Sequence, residues 1–250
     1  AFALALFRNF ILNSIPAAFF SLEMGETQLL SRMYAVESDV ELGKLRRRNL
    51  TDEERVRINR AIGSFEDKKF WIDDRSRKIS HIANKIRKFV IRHGVKAVFI
   101  DYLQLMTCDV GKTGNREQEV AVISRVLKEL TNELKIPIFA LSQINRAIHS
   151  RSNKRPTLGD LRESGAIEQD ADMVMFVHRP HYFILDQVLP NVESAEIIIA
   201  KGRSCGIGTV DVPFQASKTK FLNSNQDEIA AYKKQQIDGL GDLPISDEFS

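Results

Sequence analysis

Val98-Phe99-Ile100-Asp101 is a run of three bulky apolar residues that ends on a carboxylate. A stretch so short, wholly apolar and preceded by Gly94 reads as a strand buried on both faces. That is the habit of a parallel sheet covered by helices on either side. Working outward from it, comparable runs recur at 17–21, 70–72, 138–141, 173–177 and 195–200. Amphipathic stretches separate them. Residues 1–13 read as an apolar helix closed by Asn13-Ser14 and Pro16, and 27–37 as a helix through Leu29, Leu30, Met33 and Val36. Thr51-Asp52-Glu53-Glu54 fits a capping box, in which a Thr and a Glu three residues later satisfy each other's free amides, and predicts a helix to about Ser64. Ile79, Ile82, Ile86, Phe89 and Val90 form one stripe that stops at Gly94; Val120, Ile123, Val126, Leu127, Leu130 and Leu134 form another. Residues 166–171 read as helical, and 206–214 pairs with 195–200 as an antiparallel hairpin. The polar, arginine-rich stretch 145–160 is expected to be mobile. The fold class is α/β: three layers, a mostly parallel central sheet and a C-terminal antiparallel hairpin.

The bulk numbers fit one large domain of ordinary composition: 250 residues, 43% hydrophobic and 28% charged, with a formal net charge of +3. So small an excess of positive charge does not by itself argue for nucleic acid. The local clusters Arg46-Arg47-Arg48, Arg75 to Lys78 and Arg146 to Arg155 say more, although such clusters commonly form solvated faces. Cys108 and Cys205 lie far apart, with neither a disulfide framework nor metal-ligand spacing, as suits a reducing interior. No apolar run approaches the roughly 18 residues of a membrane span, and the opening segment lacks the basic lead-in and cleavage site of a signal peptide. A cytoplasmic protein with no membrane partner is expected. Beyond Gln226 the chain turns polar and acidic, so 1–225 is expected to fold and 226–250 to be a disordered tail.

Ligand sites in parallel sheets lie at the carboxyl ends of the strands. Those ends carry Glu23, Asp101 and Gln143. A strand-tip aspartate such as Asp101 suits Mg2+, held through water, because that ion prefers hard oxygen ligands and keeps much of its hydration. Such a strand, a Walker B element, needs a partner loop G-x-x-x-x-G-K-[ST] whose amides cradle phosphate. Gly111-Lys112-Thr113 does not supply it. The first glycine of that pattern would fall at Met106, the tripeptide follows the aspartate strand, and Gly114-Asn115 intervene before the next helix. The apolar opening Ala1-Phe2-Ala3-Leu4-Ala5-Leu6 has the character of a helix directly after such a loop, so the phosphate loop itself is expected upstream of Ala1.

Several motifs then fall in order: Phe20-Ser21-Leu22-Glu23-Met24, Ile100-Asp101-Tyr102-Leu103-Gln104-Leu105, Leu141-Ser142-Gln143, the long run from Asp160 to Asp172, and Ile197 to Arg203. Over about residues 1–222 the chain resembles the C-terminal, RecA-like ATPase domain of DnaB-type replicative DNA helicases. The resemblance implies a motor that couples ATP hydrolysis, with Mg2+, to movement along single-stranded DNA and to duplex unwinding in replication. It assigns Glu23 as the base that polarises the attacking water, Asp101 as the Walker B aspartate and Gln143 as the sensor of the γ-phosphate. Lys201 and Arg203 become the basic pair inserted into the neighbouring subunit's nucleotide site. Arg162, Glu163 and Gly165 become the loop that touches single-stranded DNA, Arg162 by its phosphate-matching fork and the others by their backbone. It further implies a homo-hexamer, a primase and a helicase loader as partners.

The chain departs from the family in two respects. Gly202 and Ser204 stand where a Gln and an Asn are usual, which is expected to loosen the hairpin while keeping both charges. The phosphate loop and the family's N-terminal helical domain are absent, so the chain as written is expected to be inactive alone. The alternative is a catalytically silent ring subunit or scaffold. A RecA-like recombination or repair ATPase fits the fold but not the 161–172 motif.

Overall fold

The computed structural model describes residues 1–108, 116–183 and 192–222, with the backbone alone at 146, 162–164, 181 and 183. The expected decoy at Gly111-Lys112-Thr113 and the tail 226–250 lie outside the described residues. In chain order the elements are α1 (Phe2–Leu12), β1 (Ala17–Ser21), α2 (Glu26–Ser38), α3 (Leu42–Arg47), α4 (Asp52–Glu66), β2 (Phe70–Asp73), α5 (Ile79–His93), β3 (Ala97–Asp101), α6 (Arg116–Leu134), β4 (Ile138–Ala140), α7 (Gly165–Asp170), β5 (Met173–His178), β6 (Val192–Gly202), β7 (Gly208–Gln215) and β8 (Lys220–Phe221).

The apolar run that opened the reading is β3, central in a parallel sheet of order β2-β1-β3-β4. Alternation along its strands sorts residues to the two faces. Ala18, Phe20, Val98 and Ile100 pack with Ile82, Ile86, Ile123 and Leu127 from α5 and α6. Ala17, Phe19, Ala97 and Phe99 pack with Phe7, Ile11, Leu29, Met33 and Phe65 from α1, α2 and α4. Phe99 is the hinge pin of the second face: it is fully buried, stacks on Phe139 with centroids 4.6 Å apart, and meets Phe7 edge-on at 5.5 Å.

Local signals explain the helix ends. Thr51 Oγ1 accepts from Glu54 N at 3.2 Å while Glu54 Oε2 accepts from Thr51 N at 2.9 Å, which is the reciprocal cap that the sequence announced. Gly94 closes α5 at φ +67°, a left-handed conformation that glycine adopts without strain. The short α3 was not anticipated, because its six residues carry no sustained period.

Two differences from the sequence reading concern the second half. The antiparallel part is larger than a hairpin: β5 pairs antiparallel with β6, and the order β5-β6-β7-β8 makes a second four-stranded sheet. The stretch 145–160, expected to be mobile, makes several side-chain and backbone bonds. Asn145 N donates to Asp160 O at 3.1 Å, Arg151 pairs with Asp160 at 2.9 Å, and Arg155 pairs with Glu196 at 2.9 Å and donates to Thr209 Oγ1 at 2.8 Å. Arg155 anchors the loop to the second sheet. The second sheet meets the helices at both ends. Ser124 Oγ donates to Asp170 Oδ2 at 2.8 Å beside α7. At β8, Lys218 and Lys220 reach Asp39 after α2 at 2.6 and 3.0 Å, and Phe221 meets Phe2 edge-on at 5.3 Å.

Candidate nucleotide site at the strand tips

The parallel register sets Ser21 beside Asp101, and Leu22 N continues the ladder to Asp101 O at 2.7 Å. The chain then turns under its own hydroxyl: Ser21 Oγ donates to Met24 O at 2.6 Å and accepts from Met24 N at 3.3 Å. This turn fixes Glu23 on the exposed rim, next to the half-buried Asp101. Glu23 makes no hydrogen bond or ion pair among the described residues. Burial pushes the Asp101 carboxyl above the usual carboxylate range; Glu23 adds to that shift and Arg32 opposes it. Glu23 and Asp101 therefore share one electrostatic neighbourhood at the same end of the sheet.

One positive group reaches this neighbourhood: Arg32 of α2, whose Nε is buried without a hydrogen-bond partner. With Ala1, Ala5 and Arg8 it also lines a shallow, mostly apolar groove between α1 and α2. An anion at the strand tips would give that nitrogen an acceptor. Sequence reasoning missed Arg32, which sits mid-helix with nothing in its spacing to mark it. Asp101 with Glu23 beside it also suits Mg2+, which takes one or two carboxylates and completes its shell with water and phosphate oxygens. Among the described residues no group of three or more His, Cys, Asp or Glu gathers to form a self-sufficient metal cage.

The tip of β4 is clamped by Gln104, a second residue that the sequence reading gave no role. Its Nε2 donates to Ser142 Oγ at 2.9 Å and to Gln143 O at 3.3 Å, and its Oε1 accepts from Gln143 N at 3.2 Å. Gln143 is thus held by its backbone with its residue exposed. The signal was present in the Asp101-to-Leu105 motif, where Gln104 follows the strand tip within one turn.

Lys201 and Arg203 lie elsewhere, at the end of β6 and in the turn after it. The Lys201 ammonium donates to the carbonyls of Glu168 and, at 3.3 Å, Gln169. Arg203 donates to Gln169 O at 2.7 Å and reaches Asp172 at 3.3 Å. Both remain accessible, Arg203 with half its side chain exposed. Neither belongs to the group of charges that shifts Asp101. Gly202 does not loosen this turn, contrary to expectation. A Cβ there would collide with the Cys205 sulfur and lie 2.7 Å from the Cys205 carbonyl oxygen, so the turn folds tightly over the bare glycine. Of the expected DNA loop, Arg162 and Glu163 are described by backbone alone, in the 3-10 turn Leu158–Ser164 that runs into α7. At Gly165 nothing lies within 4 Å of where a Cβ would stand.

The fold is RecA-like, as in helicase ATPase domains. The chain matches the model of the DnaB-like helicase C terminal domain over residues 1–223, and it belongs to that family. It is 41% identical over 225 residues to the replicative DNA helicase DnaC of Bacillus subtilis (strain 168), covering 89% of this chain and 49% of that protein. The figures for the replicative DNA helicase DnaB of Geobacillus stearothermophilus are the same: 41% over 225 residues, 89% and 49%. The chain thus spans about half the length of the curated relatives it matches. Among solved structures, one described as an ATPase domain superposes with a TM-score of 0.80 at 34% identity, covering 90% of this chain and 80% of that one. The structure of a DnaB-like replicative helicase and its interactions with primase gives a TM-score of 0.81 at 34% identity, covering 90% and 54%. No described helix is long and apolar enough to cross a membrane.

Proposed function

We propose that this chain is the motor domain of a ring-forming replicative DNA helicase, which uses ATP hydrolysis to move along single-stranded DNA and separate the duplex. The observation that carries the reading is the meeting of Glu23 and Asp101 at parallel strand tips beside Arg32, whose Nε is buried without a partner. In this reading the Arg32 guanidinium faces the terminal phosphates. Asp101 would hold Mg2+, which when bound neutralises phosphate charge. Glu23, unclaimed on the rim, takes the proton from the attacking water. Gln143, positioned by Gln104, presents an amide that both donates and accepts toward the phosphate. Lys201 and Arg203 serve the next subunit's site, which makes hydrolysis depend on assembly of a homo-hexamer. Arg162 and the backbone at Glu163 and Gly165 grip DNA phosphates without sequence preference, and the open space at Gly165 leaves room for a strand to approach. A primase and a helicase loader are the expected protein partners; the reading places the protein in the cytoplasm. Residues 1–225 form the motor and 226–250 a polar tail.

The test is ATP hydrolysis by the complete protein, with and without single-stranded DNA. Stimulation by DNA is expected, and Glu23→Gln should cut turnover by about 10²–10⁴-fold, the range for loss of a general base. Hydrolysis that survives Glu23→Gln refutes the assigned base. A complete protein that assembles and binds DNA yet hydrolyses nothing supports the silent ring subunit instead.

A further inference from the structure

Arg203 is bound to α7 more thoroughly than an exposed turn residue needs to be. Its backbone N–H donates to Asp172 O at 2.8 Å, one guanidinium nitrogen donates to Gln169 O at 2.7 Å, and another reaches Asp172 Oδ1 at 3.3 Å. Lys201 adds its contacts to the Glu168 and Gln169 carbonyls. These carbonyls end α7, where a helix leaves acceptors without intrahelical donors and where its dipole favours cations. Asp172 is tied on its other side as well, since Lys128 Nζ of α6 donates to both carboxylate oxygens at 2.6 Å. The Lys128 hydrogen bond, set against partial burial and assisted by the Lys128, Arg203 and Lys201 charges, holds the Asp172 carboxyl below its ordinary range. It is ionised at neutral pH.

We propose that Asp172 is the positioning residue for Arg203: it keys the hairpin's cations to the end of α7, so that this turn and the segment 162–165 leading into α7 move as one body. This inference rests on the reading of Arg203 as a cation supplied to a neighbouring subunit. The geometry makes the contact releasable. The Asp172 side chain is 63% exposed, and it keeps both oxygens on Lys128 when Arg203 leaves, so departure strands no carboxylate. A neighbour's polyphosphate, carrying more negative charge, competes for the guanidinium. As Arg203 goes to it, α7 loses one of its two capping cations, and the change is felt at Gly165, the first residue of α7. Gly202 fits the same scheme, because the turn folded over it holds Arg203 at a fixed distance from β6.

The test uses the complete ring-forming protein with Asp172→Asn, Arg203→Ala and the two combined. Asp172→Asn should lower kcat for ATP about tenfold with KM nearly unchanged, and add nothing to Arg203→Ala, as residues acting through one contact do. Asp172→Glu, which keeps the charge, should recover most of the loss. Additive effects, or wild-type kcat in Asp172→Asn, overturn the proposal. Amide exchange supplies a readout independent of hydrolysis: the amides of 168–172 and 203 should exchange faster in Asp172→Asn than in wild type. If Arg203→Ala leaves hydrolysis intact, the neighbour-site reading fails while exchange still judges the positioning. If exchange at these amides is unaltered in Asp172→Asn, the positioning fails whatever hydrolysis does.

Discussion

Asp101→Asn should make the domain more stable while abolishing its chemistry. The Asp101 carboxyl is half-buried at the tip of β3, pushed up by burial and by Glu23 against the opposing pull of Arg32. A group whose folded pKa lies above its unfolded value binds more protons when folded, so stability falls as pH rises through the interval between the two. The unfolded value is about 3.9. Wild type and Asn variant should therefore lie closest below that pH, where the carboxyl is neutral in both states. The gap should widen as pH climbs toward the raised folded value, then stay level. Asparagine nearly preserves volume and removes the desolvated charge, so the gain at neutral pH is about 1 kcal/mol, the scale on which relieving an unfavourable functional group stabilises a domain. For a chain of this size that corresponds to a rise in Tm of about 2–4 °C. Thermal melts of both proteins from pH 4 to 8, without nucleotide or Mg2+, measure it. A wild type that melts above the variant at pH 8, or a gap that narrows with rising pH, would show that the carboxylate is not held at a cost and would undo the electrostatic account of the site.

Other perturbations probe the scaffold around it. Phe99→Ala removes a fully buried ring from the aromatic face and should cost about 3–5 kcal/mol in urea unfolding. Gln104→Leu removes the acceptor of the exposed Gln143 amide and should cost no more than about 0.5–1.5 kcal/mol, the net worth of an ordinary hydrogen bond, with a weaker dependence of hydrolysis on DNA. Arg155→Ala cuts the ties to Glu196 and Thr209; the partly exposed pair is worth at most about 1 kcal/mol, so global unfolding should barely shift while limited proteolysis within 151–157 accelerates.

The parallel half of the fold was legible because its signals are local. Val98-Phe99-Ile100-Asp101 carries strand, burial and functional tip in consecutive residues, and Thr51 and Glu54 carry their cap within one turn. What escaped depends on partners distant in sequence. The arginines of 145–160 read as a mobile polar loop because Glu196 and Thr209, which hold Arg155, lie 41 and 54 residues away. The pairing of β5 with β6 spans a connection that no periodicity announces. Gly202 looked like a loss of rigidity because the close approach of Cys205 exists only once the turn is folded. At the site, the strand-tip acids were visible. Arg32 was not, since its role comes from the missing partner of a buried nitrogen, which only coordinates reveal.

The Asp39 fastening to Lys218 and Lys220, with Phe2 against Phe221, has a mechanical meaning. The antiparallel sheet is tied at two places, to α7 through Lys201 and Arg203 and to the end of α2 through Asp39. Whatever presses on the first turn of α1 pushes on β8 through a single aromatic contact, and β8 is hydrogen-bonded to β7 and through it to β6, which ends at Lys201. A displacement at one end of the molecule thus has a continuous path of hydrogen-bonded strands to the other.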